Sequence, residues 1–362
     1  MKYPQGIRPA PLSRLLHYKA PGAEKYENCV TIQNPFPGLL QESWTGRITQ
    51  KADSVRYHSP RNAGTLLTEC RRGRRKRGME INMDKIGVID VGGGLRSIYG
   101  AGVFDWCLDH GVKFDYCIGV SAGSANVGSY VSGQRGRNYR FYHEYAMRPE
   151  FVSLRNRRKT GEGCNVTYMY GTLANEGGED PWDYDTAERS DAECVAVAMD
   201  ARTGRPVYFT KDAFQRNHFF PFMASSNIPI LNKPFMVGSM PCYDGGCVDP
   251  LPIRKAFRDG CTKVVVILTL PRDTLLDPRK DLFWSRVLAR RWPKAAAQLK
   301  HRSQRYNSQV RLAEFCEAEG RALIVAPASV YGLSTLTQDA DKLDRLYHDG
   351  YRDAAAIEAF LA

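Results

Sequence analysis

The stretch that decides the fold is Tyr116-Cys117-Ile118-Gly119-Val120-Ser121-Ala122-Gly123-Ser124-Ala125. A short apolar run of the kind found in buried strands reaches Gly119, and small residues from Ser121 to about Val131 read as a helix. A serine between two glycines at a strand-to-helix junction marks the sharp turn that lifts a hydroxyl out at the top of a sheet. Only glycine neighbours, Gly119 and Gly123, let the backbones approach closely enough there. The helix amino terminus beneath the turn favours developing negative charge. Taken alone, G-x-S-x-G also describes a glycine-rich packing turn, so the surrounding chain has to carry the reading.

Upstream, Lys85-Ile86-Gly87-Val88-Ile89-Asp90-Val91 is a second buried-strand pattern, and it runs directly into Gly92-Gly93-Gly94-Leu95-Arg96. A helix follows, with apolar residues at 103, 104, 107 and 108 and Gly111 at its stop. Three consecutive glycines leave backbone N–H groups unobstructed, as acyl transfer requires of an oxyanion hole. Arg96 either orients that loop, meets an anionic head group or is simply solvated. A phosphate loop is the competing reading: Walker A fails because no Gly-Lys-Ser/Thr follows, and G-x-G-x-x-G fails at Ser97.

Downstream, Cys194–Met199 and Pro206–Phe209 read as paired strands around the turn 202–205. A helix is expected over about 252–259 and a buried strand over 263–270. Amphipathic helices are expected at 304–319 and 338–361, around a strand near 322–325. Between these lie Ala224-Ser225-Ser226-Asn227-Ile228-Pro229 and the run from Met240 to Pro252, in which Tyr243-Asp244-Gly245-Gly246 presents a carboxylate at a turn.

Composition fits a globular α/β protein, with 43% hydrophobic and 25% charged residues. Ten scattered cysteines, several in apolar runs and none in a CxxC pair, read as reduced thiols rather than a zinc site. The net charge of +12 is uneven: residues 1–82 hold 15 Lys and Arg against 6 Asp and Glu, so the remainder is close to neutral. That proline-punctuated, basic segment, ending in Arg71-Arg72-Gly73-Arg74-Arg75-Lys76-Arg77, reads as a disordered extension. It is either a solvated charge cluster or a tether to nucleic acid or anionic lipid, and Met79 or Met83 is an alternative natural start. Three parts are therefore expected: the extension 1–82, a catalytic core 83–275, and a mainly helical part 276–362 packed on the core. No apolar run is long enough to span a membrane and no secretory signal is evident, so a cytoplasmic location is expected, with possible peripheral contact at the inner membrane surface.

The order glycine loop, serine, aspartate resembles that of the patatin-like phospholipase family, whose motifs are G-G-G-x-R/K-G, G-x-S-x-G and D-G-G/A. The resemblance covers about Lys85 to Leu270. It includes the small-residue segment at 224–229 and the stretch Asp244-Gly245-Gly246-Cys247-Val248-Asp249-Pro250-Leu251-Pro252-Ile253. It departs at Ser97, where the family pattern closes the loop with glycine. The resemblance implies a three-layer α/β/α fold with a mainly parallel sheet. It implies a lipid acyl hydrolase with a Ser121–Asp244 dyad, and an oxyanion loop of Gly92, Gly93, Gly94 and Arg96. The nucleophile turn would be Gly119 and Gly123 and the aspartate turn Gly245 and Gly246, with no metal or cofactor.

Two rivals stand beside it. A histidine-dependent α/β-hydrolase would draw on His301 or His348, although the glycine loop lies only one βα unit ahead of the serine, and an acyltransferase would use the same residues. A non-enzymatic protein keeping the fold would bind lipid or membrane. Ile98, Tyr99, Val103 and Phe104 suit either an acyl chain or helix packing. No specific nucleic-acid partner is expected, and neither head group, chain length nor oligomeric state is encoded in any motif.

Overall fold

The computed structural model describes residues 84–152, 158 and 162–362, together with two short strands, β1 (Cys29–Ile32) and β2 (Trp44–Arg47). The chain divides into two compact units, Met1–Tyr57 and His58–Ala362. In the first, β1 and β2 pair antiparallel with Cys29 opposite Arg47. Four-residue strands are too short to leave a periodic signal, which is why none was expected there. The rest of the basic extension lies outside the described residues.

The second unit is built on an eight-stranded sheet. Its elements in chain order are β3 (Ile86–Asp90), α1 (Ile98–Asp109), β4 (Tyr116–Val120), α2 (Ala122–Val131), α3 (Arg137–His143), α4 (Tyr184–Arg189), β5 (Glu193–Asp200) and β6 (Pro206–Phe209). There follow α5 (Phe220–Ser225), β7 (Phe235–Val237), β8 (Met240–Asp244), α6 (Ile253–Arg258), β9 (Lys263–Ile267), α7 (Pro278–Leu288), α8 (Pro293–Lys300), α9 (Arg302–Ala318), β10 (Ala322–Val325), α10 (Ala340–Asp353) and α11 (Ala356–Leu361). The spatial order is β10-β9-β3-β4-β5-β8-β7, with β6 also on β5. The first five strands are parallel and the rest antiparallel.

Alternation along the parallel strands makes the three layers. Val88, Cys117, Cys194, Ala196, Val265 and Ile267 face one core with α1, α2 and α10. Ile89, Ile118, Val195, Val197, Val264 and Val266 face another with α6 and α9. With both faces covered, the strands read as continuous apolar runs rather than as alternating ones. The carboxyl-terminal part contributes more than helices, because β10 is the edge strand on β9. The expected helix 338–361 is two helices, α10 and α11, separated at Ala354 and Ala355. Ile98, Tyr99, Val103 and Phe104 are fully buried in the first core, which removes them from any acyl-chain surface.

Candidate active site

In a parallel sheet with helices on both faces, ligands meet the crevice at the carboxyl ends of the strands. Here β3 ends in the glycine loop and β4 ends at Ser121. Ser121 takes φ 57 and ψ −134, so a non-glycine residue is held in sparsely populated backbone territory at the head of α2. Its N–H donates to Ser225 Oγ at 2.9 Å, and Ser225 Oγ donates to the Val197 carbonyl at 2.6 Å. The strained turn is thereby tied to β5 through one buried hydroxyl. Gly119 and Gly123 pack within this turn, and a Cβ on Gly123 would collide with Asp90.

The aspartate arrives from the other half of the sheet. Asp244 closes β8 and caps the 3₁₀ turn Gly245–Cys247, taking the Gly246 N–H on Oδ1 at 2.7 Å. Its own N–H donates to the Asn227 carbonyl at 2.9 Å. The segment 224–229 therefore holds both halves: Ser225 grips Ser121 and Asn227 grips Asp244. The Ser121 hydroxyl lies beside the Asp244 carboxylate, close enough to favour its ionised form. Both residues are only 8% exposed. Burial pushes the Asp244 carboxyl up to about 6, against the opposing pull of the Ser121 hydroxyl, the Gly246 N–H and the Arg302 charge.

The glycine loop faces this pair. Gly92, Gly93 and Gly94 all have positive φ, at 69, 134 and 63. A Cβ on Gly92 would overlap the Val120 carbonyl oxygen beside Ser121, so the approach of loop to turn demands glycine. The Gly92 N–H donates to Asp90 Oδ1 at 2.8 Å and the Leu95 N–H to the Thr335 carbonyl at 2.9 Å. Thr269, just past β9, donates its hydroxyl to the Gly92 carbonyl. The Gly93 and Gly94 N–H groups have no protein acceptor among the described residues. Arg96 is half-buried near Arg302 and Tyr306, and its burial lowers the guanidinium pKa. Ser97 has φ −67, an ordinary helical value, so glycine is not required where the loop closes.

Asp90 was missed by sequence reasoning because a strand-terminal aspartate resembles any turn former. It is fully buried, and its Oδ2 accepts from Asn126 Nδ2 at 2.8 Å, while the same nitrogen donates to the Ser97 carbonyl. Tyr142 then donates to Asn126 Oδ1 at 2.8 Å. One buried carboxylate thus ties the glycine loop to the helix that carries Ser121, and burial raises its pKa to about 6. His301 and His348 lie elsewhere. The first is exposed and contacts Gln304, and the second is exposed beside Asp344.

Residues 91–257 match the family model described as Patatin-like phospholipase. These residues are a patatin-like phospholipase domain. Residues 292–361 match a second model, described as a domain of unknown function. That part of the chain reaches the patatin-like domain's loops through Thr335, through Arg305 Nη1 on the Cys247 carbonyl at 2.9 Å, and through Gln309 Nε2 on Asp249 at 2.5 Å. A curated relative from Escherichia coli (strain K12), YjjU, described as uncharacterized, is 26% identical over 208 residues. The alignment covers 54% of this chain and 55% of that protein, so this chain spans about half the relative's length. Among solved structures, VipD from Legionella pneumophila is similar, with a TM-score of 0.42 and 12% identity over 76% of this chain and 67% of that one. No helix of the described residues is long and apolar enough to cross a membrane.

Proposed function

We propose that the protein hydrolyses carboxylic esters of lipids through Ser121 and Asp244. The observation that carries this reading is the placement of the Ser121 hydroxyl beside the buried Asp244 carboxylate, at a strained, nearly buried turn. Ser121 Oγ attacks the ester carbonyl carbon as its proton passes to Asp244. The tetrahedral oxyanion is met by the Gly93 and Gly94 N–H groups. Collapse breaks the bond to the alcohol, which takes the proton from Asp244 and leaves an acyl-serine. Water then attacks the acyl carbon, again giving its proton to Asp244, and the acid is released as Ser121 is reprotonated.

An ordinary carboxylate near 3.9 is a weak base at neutral pH, and burial narrows that gap while leaving Asp244 mostly ionised at pH 7. The lipid substrate class is supported by the family match at 91–257. The test is hydrolysis of p-nitrophenyl esters of graded chain length alongside phospholipids. Ser121→Ala and Asp244→Asn should each lose about a thousandfold or more, whereas His301→Ala and His348→Ala should retain activity. Loss in a folded histidine variant would overturn the dyad, and absence of a fluorophosphonate adduct on Ser121 would favour a non-catalytic binding protein.

A further inference from the structure

Beyond Thr269 the chain leaves the carboxyl end of β9, the edge of the sheet that bears Ser121, and enters α7. Asp277 caps this helix by accepting from the Arg279 N–H at 2.9 Å, and Pro278 occupies its first turn. The inward face is Asp281, Ser285 and Leu288, at spacings of four and three. Arg302 Nη2 meets Asp281 Oδ1 at 3.0 Å, and Ser303 donates both its N–H and its hydroxyl to Asp281. Asn307 takes the Leu276 N–H and donates to its carbonyl. The helix is therefore bolted to Arg302, whose charge also acts on Asp244.

The outward face is unlike the rest of the surface. Five large hydrophobic residues stand exposed among the described residues, and four of them are here: Leu275 at 64%, Phe283 at 57%, Trp284 at 43% and Val287 at 47%. The Phe283 and Trp284 rings already pack edge to face at 4.8 Å. Lys280, Arg286 and Arg290 are exposed around them and form no ion pair with an acid among the described residues. The acids of the helix and its cap are taken, Asp277 holding Arg279 and Asp281 pointing inward to Arg302, while Asp273 earlier in the approach is exposed without an ion pair among the described residues.

An exposed helix face that sets aromatic and aliphatic tips among unpaired cations complements an anionic surface with an apolar interior. We propose that α7 and its approach form a docking face for anionic bilayers, laying the Ser121 edge of the sheet against the lipid. The choice of a bilayer over an acidic protein rests on the lipid-ester reading above.

The test uses the full chain carrying Ser121→Ala, cosedimented with phosphatidylcholine vesicles with and without phosphatidylglycerol, at physiological and at high salt. Two further sets are compared with it: Phe283→Ser with Trp284→Ser and Val287→Ser, and Lys280→Glu with Arg286→Glu and Arg290→Glu. All retain the Arg71–Arg77 run, so the ratio to the parent isolates α7. Each set should weaken partition onto the anionic vesicles by about tenfold or more, and Trp284→Phe should abolish a vesicle-induced blue shift of tryptophan emission. Unchanged partition in both sets overturns the proposal. So does loss of self-association in sedimentation velocity with vesicle binding retained, which would make the face a contact between copies. Both sets placed on the Ser121 chain should still hydrolyse a short soluble ester; if the parent does not, the hydrolase reading fails while the vesicle result stands.

Discussion

Replacing Ser121 by glycine should make the protein inactive and yet more stable than replacing it by alanine. Both changes remove the hydroxyl, so the comparison isolates the backbone. At φ 57 and ψ −134 a residue with a Cβ is strained on the order of 1–3 kcal/mol, which glycine releases. Against this, glycine adds about 0.5–1 kcal/mol of unfolded-chain entropy. The nearly buried Cβ it lacks costs roughly another 0.8 kcal/mol. Central values leave glycine ahead by about 0.5 kcal/mol, where an ordinary helical site would put it behind by about 1 kcal/mol. Thermal melts followed by circular dichroism should place the glycine variant about 1–2 °C above the alanine variant, with a higher urea midpoint at unchanged slope. A glycine variant that melts below the alanine variant would refute the claim that this turn stores strain.

With Asp244 acting as base, kcat/KM for a soluble ester should rise with pH along a limb centred at about 6, since burial raises this carboxyl and only its ionised form accepts the Ser121 proton. At pH 5 the rate should be about a tenth of the plateau; Arg302→Met should move the limb upward, and a limb near the ordinary carboxylate value would contradict the buried base. Asp90 gives a stability signature of the opposite kind to a salt-bridged acid. Its folded pKa of about 6 lies above its unfolded value, so the folded state holds the proton longer and stability falls as pH rises from about 4 to about 6, by up to roughly 3 kcal/mol. Asp90→Asn removes that fall and also faces an amide N–H₂ toward Gly92 or Asn126, so the wild type's advantage in urea denaturation should shrink across this window; a difference independent of pH would count against a buried, protonatable Asp90.

The parallel half of the sheet was legible because strands covered on both faces leave uninterrupted apolar runs. Residues 263–267 and 322–325 stood out for that reason, and residues 86–90 and 116–120 gained sharp ends from the glycines that follow them. In the antiparallel half, Pro206–Phe209 was legible beside β5, but Phe235–Val237 and Met240–Asp244 were not, since they are short, contain Pro241 and alternate weakly. The helices α7 and α8 were equally silent, since their inward positions include Asp281 and alanines in place of an apolar stripe. At the candidate site, the glycines, Ser121 and Asp244 are singled out by motif. Ser225, Asn126 and Asp90 are not, because their task is to satisfy backbone groups brought together only by the fold. The Ser97 departure posed a question of backbone sign that the structure answers with an ordinary helical φ.

The contact between the Leu95 N–H and the Thr335 carbonyl has a bearing on biosynthesis. The serine, its glycine loop and its aspartate all leave the ribosome well before residue 335 does. Until that carbonyl arrives the loop lacks one of its moorings, and β9 lacks its neighbour β10. Under the proposed mechanism, a nascent chain would hold its serine and aspartate early while the glycine loop stayed slack, so that competence would wait until synthesis had passed the segment that fastens it.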